Sequence, residues 1–174
     1  ANPDPEFPPE FCALLRELSP DVVHLHHYTN FGVEALLHIR RTLPRAAIVV
    51  TLHEYLAICN HFGQMLKRPG MQLCDRASPR DCARCFPDRS EQDFFLREMY
   101  IKRCLLLADH FVSPSRFLAA RYAAWGLDAA RISVIENGMP EDGEAPPAPA
   151  AAPAPGEDLV LGFFGQISRL KGID

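Results

Sequence analysis

The sequence predicts an α/β protein built on a doubly wound parallel sheet, a Rossmann-like fold with an irregular cysteine-rich insertion. From residue 11 to residue 135, short β-branched runs alternate with segments of helical periodicity, which is typical of strands joined by crossover helices. The clearest run, residues 46–52, is continuously apolar, as expected of a strand that is covered on both faces. Four cysteines fall in one aperiodic stretch between residues 54 and 89.

The first half of the pattern predicts helix, strand, helix and strand. Residues 1–10 are rich in proline and acidic side chains and predict a disordered tail. Apolar residues then stand at helical spacing up to Leu18, and a β-branched run over 21–26 predicts a strand. Asn30 is expected to cap a helix that ends before Pro44, and the apolar strand follows it.

The second half continues the alternation. Ser90 and Asp93 form a capping pair at the start of a long helix. Pro114 is expected to open a second helix, which stops near Trp125. Three further strands are predicted over residues 109–112, 131–135 and 159–164.

A composition shift near the end of the chain predicts a domain boundary. The tract over 144–156 reads EAPPAPAAAPAPG, which cannot form a continuous helix or strand. We therefore expect a linker over 141–158, after a first domain over 11–140 that includes a cysteine-rich loop, residues 56–89. The remaining segment, 159–174, is too short for a core of its own and is interpreted as the first strand and turn of a second domain.

Charge and hydropathy exclude several classes of protein. The 18 Lys and Arg residues are scattered among 22 Asp and Glu residues, so the basic stripe of a nucleic-acid-binding protein is missing. No apolar run approaches the roughly 18 residues that a membrane span needs. The N-terminus lacks the basic and apolar regions of a signal peptide. A cytoplasmic location with reduced cysteines is therefore expected.

Polar clusters follow the predicted strands at the edge where ligands bind in open parallel sheets, beyond the carboxyl ends of the strands. The first strand ends in a cluster of three histidines that includes His24 and His26, and His53 and Glu54 directly follow the second. A lone histidine in such a place is most often a satisfied polar group or a cap, but two clusters at consecutive strand ends favour a binding site. The glycine-containing turn 165–172 follows the last strand, and an ordinary βα turn is the alternative there.

The cysteine-rich loop contains enough cysteines for a metal site. Its cysteines follow the pattern Cys-x14-Cys-x7-Cys-x2-Cys, which predicts four thiolate ligands for a structural zinc ion. A long loop without apolar periodicity cannot be stabilised by burying apolar side chains, whereas metal binding contributes folding free energy directly. An iron–sulfur cluster on the same thiolates is less favoured, and reduced cysteines without a metal are the other alternative. The four candidate ligands are Cys59, Cys74, Cys82 and Cys85.

Four strings carry a resemblance to a known family: VVTLHEYLAIC, ADHFVSPSRFLAARYAAWG, ISVIENGMP and LGFFGQISRLKG, in that order. Together they resemble the nucleotide-sugar-dependent glycosyltransferases of the large retaining family 4, whose GT-B fold places two Rossmann-like domains across a cleft. The resemblance covers residues 21–140 and 159–174. It implies that the chain holds most of the acceptor-side domain and the start of the donor-side domain.

The resemblance also implies roles for individual residues. His53 matches the histidine that the family places against the donor sugar, and this makes it the candidate catalytic residue. The family commonly reads G-R-x-x-x-x-K-G in the turn that holds the donor diphosphate; Gln166 replaces the arginine here, which leaves Lys171 as the expected cation. The other implied site residues are His24 and His26 on the acceptor side and Gly165 at the donor phosphates.

The expected activity is transfer of a sugar, with retention, from a nucleotide-sugar to a cell-surface glycan or lipid-linked acceptor. No catalytic metal and no protein nucleophile are expected, and Glu54 is interpreted as a solvated or capping carboxylate. Residues 1–174 alone are expected to be inactive, and the full-length protein is expected to contact the inner face of a membrane peripherally. A non-catalytic, metal-stabilised interaction module is the alternative. A nicotinamide-dependent oxidoreductase is disfavoured because no G-x-G-x-x-G follows a strand.

Overall fold

A computed structural model describes residues 8–138 together with Gly162, Phe163, Gly165 and Ile167. The chain divides into two compact units, Ala1–Asn137 and Gly138–Asp174. Every helix and strand of the described residues lies in the first unit. The predicted linker lies outside the described residues, as does most of the predicted strand 159–164, of which Gly162 and Phe163 are described and are not in a strand.

Parallel strands and helices alternate in the first unit. Its elements are α1 (Pro9–Leu18), β1 (Val22–Leu25), α2 (Ala35–Thr42), β2 (Ala47–Thr51), β3 (Leu66–Lys67), β4 (Gln72–Leu73), α3 (Pro79–Cys85), α4 (Glu91–Leu105), β5 (His110–Ser113), α5 (Arg116–Trp125), a 3-10 helix (Ala129–Arg131) and β6 (Ile132–Val134). Strands β1, β2, β5 and β6 form one parallel sheet in that order, and β3 pairs with β4 in a separate antiparallel ribbon. The predicted Rossmann-like α/β fold is confirmed. No helix in the described part of the chain is long and apolar enough to cross a membrane.

The core lies against one face of the parallel sheet. Ile48 on β2 and Phe111 on β5 are almost fully buried, and Leu105 at the end of α4 belongs to the same cluster. Val49 and Val112, which point to the opposite face of the same strands, are only half-buried. Burial therefore alternates along β5 and along β2 up to Val50, in contrast to the expectation of two covered faces. The strand order runs in one direction, so right-handed crossovers place the connecting helices on the same face.

Three helices begin at residues other than the predicted ones. α1 begins at Pro9, inside the stretch predicted as a tail, because proline is favourable in the first turn of a helix. α2 begins at Ala35, well after the predicted cap Asn30, and no side chain caps it. α5 is capped by the hydroxyl of Ser115, so Pro114 precedes the helix and does not open it.

The cysteine-rich loop, predicted to be irregular, contains the β3–β4 ribbon and the short helix α3. The hydroxyl of Ser78 caps α3 by accepting a hydrogen bond from the backbone N–H of Asp81 at 3.1 Å. The same Ser-x-x-Asp pattern forms the predicted capping box of α4 at Ser90 and Asp93, which is confirmed. The helix in the loop is therefore a local consequence of a second capping sequence.

Arg40 on α2 ties together the edge of the sheet at which the strands begin. Its guanidinium donates hydrogen bonds to the carbonyl oxygens of Ala46, at 2.8 Å, and Leu107, at 3.1 Å, and to the carboxylate of Asp109, at 2.6 Å. The same carboxylate accepts the backbone N–H of Ile48 at 2.7 Å. Burial acts to raise the pKa of Asp109, but the hydrogen bonds from Ile48 and Arg40 outweigh it and hold that pKa below its usual value.

We expect Arg40→Ala to lower the free energy of unfolding by about 2 kcal/mol, because partly buried acceptors lose a charged donor. Urea unfolding of the variant and the unsubstituted protein measures the difference. Arg45→Ala, which removes an exposed arginine close by in the sequence, is the matched control and should change stability by about 0.5 kcal/mol or less. Equal effects of the two substitutions would show that the Arg40 contacts do not hold this edge.

Candidate functional site

Four histidines meet where β1 and β2 end, and we call them the histidine edge: His24, His26, His27 and His53. The two strands pair in parallel, with Leu25 opposite Val50, so they end at the same level. The residues that follow each strand are thereby neighbours in space. The structure brings together the predicted acceptor-side histidines and the predicted catalytic histidine.

The imidazole rings of the histidine edge contact one another between the strands. Ring centroids lie 4.3 Å apart for His24 and His26, and His27 stacks on His53 at 4.8 Å. Nδ1 of His26 lies 3.4 Å from Nε2 of His53, and the tautomers decide which of them donates. Nε2 of His24 is hydrogen-bonded to the hydroxyl of Thr51 at 2.7 Å, which anchors the edge to the last residue of β2.

Two residues of the histidine edge, His24 and His53, resist protonation. Burial lowers the pKa of His24 and of His53 below the usual 6.5, and the neighbouring His26 lowers both pKa values further. His27 also lowers the pKa of His53, against the opposing effect of the Glu54 carboxylate. Both imidazoles are therefore mainly neutral at pH 7, and a neutral imidazole can donate one hydrogen bond and accept another.

Glu54 lies beside the histidine edge. Its carboxylate is 3.5 Å from Nδ1 of His27, and its side chain is 36% exposed. This partial exposure fits the interpretation of a solvated carboxylate, but the contact with His27 makes Glu54 part of the site's geometry. His27 and Glu54 belong to the predicted strand-end clusters, but the sequence assigned neither of them a role in the site.

The turn after β2, which carries His53 and Glu54, is held by side chains from α4 and α5. The hydroxyl of Tyr122, a buried residue, donates a hydrogen bond to the carbonyl oxygen of Glu54 at 2.8 Å. The guanidinium of Arg97 donates to the carbonyl oxygens of Leu56, at 2.7 Å, and Ala57, at 2.9 Å. Burial raises the pKa of Tyr122 far above its usual range, so the hydroxyl remains a donor. No sequence signal points to these contacts, because the partners are distant along the chain.

Tyr28, next to His27, carries a buried hydroxyl that has no hydrogen-bond partner within the described residues. Burial raises the pKa of Tyr28 to about 12, partly offset by the nearby Arg97 guanidinium. The side chain borders a cavity of about 310 Å³, to which Arg97 and Leu56 also contribute. A buried hydroxyl without a partner is unfavourable, so the Tyr28 hydroxyl does not stabilise the fold. It adds a polar group to the wall of the cavity.

An apolar cavity of about 380 Å³ lies directly beside the histidine edge, between α1, β1 and α2. His24, His26 and His27 form its polar border. The cavity can therefore hold an apolar group in contact with the imidazoles. Its apolar lining includes Phe11, Leu15, Phe31 and Ile39.

The four predicted metal ligands also lie together, and we call Cys59, Cys74, Cys82 and Cys85 the cysteine cluster. All four are free thiols that line one cavity of about 20 Å³. Burial raises the pKa of Cys82 to about 11, and it also raises the pKa of Cys74. Over the described ranges, no three His, Cys, Asp or Glu side chains stand at the geometry of a metal site.

Of the three predicted donor-phosphate residues, only Gly165 is among the described residues. Gly165 belongs to the second unit, where a Cβ atom in its place would lie 3.1 Å from the ring of Phe163. Gln166 and Lys171 fall outside the described residues. Their role stays a prediction.

Comparison with known proteins gives one match. The sequence model of Glycosyltransferase Family 4 matches residues 1–142. This range includes every residue of the histidine edge and of the cysteine cluster. Neither the curated proteins nor the solved structures yielded a match.

We expect His24 and His53 to titrate below pH 6.5, as followed by NMR of the histidine rings. His26→Ala removes an imidazole that lowers both pKa values, so both midpoints should rise towards 6.5. Unchanged midpoints in this variant would contradict the electrostatic coupling. His110→Ala, at the start of β5, is the matched control and should leave both midpoints unchanged.

The same shifts fix the sign of the pH dependence of stability. The unfolded chain binds protons at these two positions more readily than the folded protein does. Their contribution to stability is therefore complete above about pH 6.5 and is lost as the pH falls towards the folded pKa values.

Two tyrosine-to-phenylalanine substitutions near the histidine edge should have different effects. Tyr122→Phe removes a buried donor from the carbonyl of Glu54 and should lower the free energy of unfolding by about 1 kcal/mol. Tyr28→Phe removes a hydroxyl that has no partner in the described structure, so stability should be unchanged or higher. Urea unfolding measures both. A loss in Tyr28→Phe as large as that in Tyr122→Phe would contradict this difference.

Proposed function

The chain belongs to Glycosyltransferase Family 4, and on that basis we propose that it transfers a sugar from a nucleotide-sugar donor to a glycan or lipid-linked acceptor, with retention at the anomeric carbon. The observation that carries the proposal is the histidine edge, where imidazoles from two neighbouring parallel strands meet. In open α/β sheets, ligands bind at this edge. Family membership supports sugar transfer in general, and the histidine edge supplies a binding site for it.

His53 is the residue that we propose to contact the donor sugar. Stacking on His27 and the contact of its Nε2 with His26 hold the ring in place. Nδ1 of His53 makes no hydrogen bond within the described residues and can bind a sugar hydroxyl. A neutral, fixed imidazole suits this task, because it orients the sugar without placing a charge beside the electron-poor anomeric carbon.

The leaving diphosphate needs positive charge that the neutral imidazoles of His24 and His53 do not supply. We assign this role to Lys171, in the turn that Gly165 and Gln166 begin. As the anomeric C–O bond breaks, its electron pair goes to the nucleoside diphosphate, and a nearby cation stabilises that charge. The acceptor hydroxyl oxygen then bonds to the anomeric carbon on the same face and gives up its proton to the departing phosphate.

The apolar cavity beside His24 and His26 favours an acceptor with an apolar portion. Phe11 and Phe31 border this cavity, and their rings lie 5.8 Å apart. A lipid-linked acceptor could place its chain there and its hydroxyl near the imidazoles. Such an acceptor would bring the full-length protein to the inner face of a membrane as a peripheral protein.

The test is a binding screen and kinetic assay of the full-length protein with a panel of nucleotide-sugars. With the donor that binds, His53→Ala should lower kcat/KM by about 10- to 100-fold, the loss expected for one hydrogen bond to the reacting sugar. Lys171→Ala should raise the donor KM or lower kcat. His110→Ala, a histidine away from the edge, should retain the original kinetics.

Each part of the proposal can fail separately. Binding of no nucleotide-sugar in the panel would overturn the donor class. Inversion at the anomeric carbon, read by NMR of the product, would overturn retention. Unchanged kinetics in His53→Ala or Lys171→Ala would overturn that residue's role while leaving sugar transfer intact.

A further inference from the structure

The cysteine cluster is assembled from separate pieces of chain. Cys59 lies in the turn after β2, Cys74 directly follows β4, and Cys82 and Cys85 lie one turn apart on α3. The cysteine-rich loop folds back on itself so that all four side chains line the same cavity. Their proximity is therefore a property of the folded loop and not of their spacing alone.

Apolar burial holds only the start of this loop: Ala57, Ile58 and Met65 are buried, whereas no residue of 66–89 is buried. Phe62 is 77% exposed and Leu73 is 76% exposed, although both are large apolar residues. α3 has no buried residue, and β3 and β4 are only two residues long. The part of the loop that carries Cys74, Cys82 and Cys85 therefore gains little from burial, and metal–thiolate bonds would supply folding energy there.

One backbone N–H of the described residues reaches a sulfur atom of the cysteine cluster. The N–H of Arg68 donates to Sγ of Cys85 at 3.5 Å. The N–H of Cys74 donates to the carbonyl oxygen of Met65 at 2.7 Å, which continues the β3–β4 pairing by one residue pair. Met65 has a φ of 52°, in the left-handed region that non-glycine residues rarely adopt. Backbone donors to ligand sulfurs are the outer contacts that orient and stabilise metal-bound thiolates.

The size and charge of the surroundings favour a single cation. The cavity volume of about 20 Å³ is close to the room that one water-sized sphere requires, which suits one ion and not a four-iron cluster. Arg97 interacts electrostatically with Cys59 and Cys82, and Lys67 interacts with Cys74. These positive charges offset the negative charge that four thiolates retain around one divalent ion.

We propose that Cys59, Cys74, Cys82 and Cys85 bind one zinc ion as four thiolates. Binding releases one proton from each thiol to solvent, and the thiols turn their sulfur atoms towards a common point in the cavity that they already line. Four protein ligands leave no open position, so the site is structural. It fixes the cysteine-rich loop, which begins three residues after His53. This role goes beyond the proposed sugar transfer and does not depend on it.

The test is metal analysis of the full-length protein, purified without chelators and without a metal-binding tag. We expect about one zinc ion per chain, as for a closed four-cysteine site, and loss of that zinc in Cys82→Ser. Cys12→Ser, on α1, is the matched control and should retain it. Replacement of zinc by cobalt should give the visible absorption of a tetrahedral cobalt–thiolate site. Chelation should speed proteolytic cleavage within the cysteine-rich loop.

Unsubstituted protein without stoichiometric zinc would overturn the proposal, whether or not the variants fold. Iron with sulfide in place of zinc would overturn the assignment of the metal. Zinc retained in Cys82→Ser, or lost in Cys12→Ser, would overturn the ligand set. His61 also borders the cavity, with its Nδ1 3.2 Å from the carbonyl oxygen of Leu66. Loss of zinc in His61→Ala together with its retention in Cys85→Ser would also contradict the four-cysteine set.

Discussion

The parallel register of β1 and β2 is the constraint on which the site depends. Leu25 lies opposite Val50, so the two strands end together and His26 meets His53. A slip by one residue would turn every side chain of a strand to the other face of the sheet. At the opposite edge, Asp109 binds the Ile48 N–H through its carboxylate and the Ile48 carbonyl through its own N–H, at 2.7 and 2.8 Å. The polar contacts at the start of β2 thus help to fix the register of the strand and, with it, the position of His53 after its end.

The segment after β2 links the two clusters of the first unit. It carries His53 and Glu54 and then, after one turn, Cys59. Tyr122 and Arg97 hold its carbonyl oxygens from the direction of α4 and α5. Arg97 also interacts electrostatically with Cys59, so one half-buried cation faces both the turn and the cysteine cluster. A metal at the cysteine cluster would fix the position of Cys59, at the end of this segment. The segment begins with His53, so a structural metal site would also restrain the histidine edge.

The electrostatics of the histidine edge suit hydroxyl groups better than phosphates. Burial and mutual repulsion keep His24 and His53 neutral at pH 7, and neutral imidazoles match the donor and acceptor character of sugar hydroxyls. An anionic diphosphate needs cations, and the proposed source is Lys171 in the second unit.

The sequence by itself determined the fold class, the four parallel strands to within one residue at each end, the capping box at Ser90 and the position of His53, because periodicity, caps and strand ends are local patterns. It did not predict the start of α2, which lacks a side-chain cap, nor α3, whose cap at Ser78 lay in a stretch without periodicity. Only the tertiary structure placed Tyr122 on the carbonyl of Glu54, Arg97 on the next turn, and the four cysteines around one cavity. Those contacts join residues that are far apart in the chain. Sequence spacing does not reveal such pairs, because the packing of the helices against the sheet determines which distant residues meet.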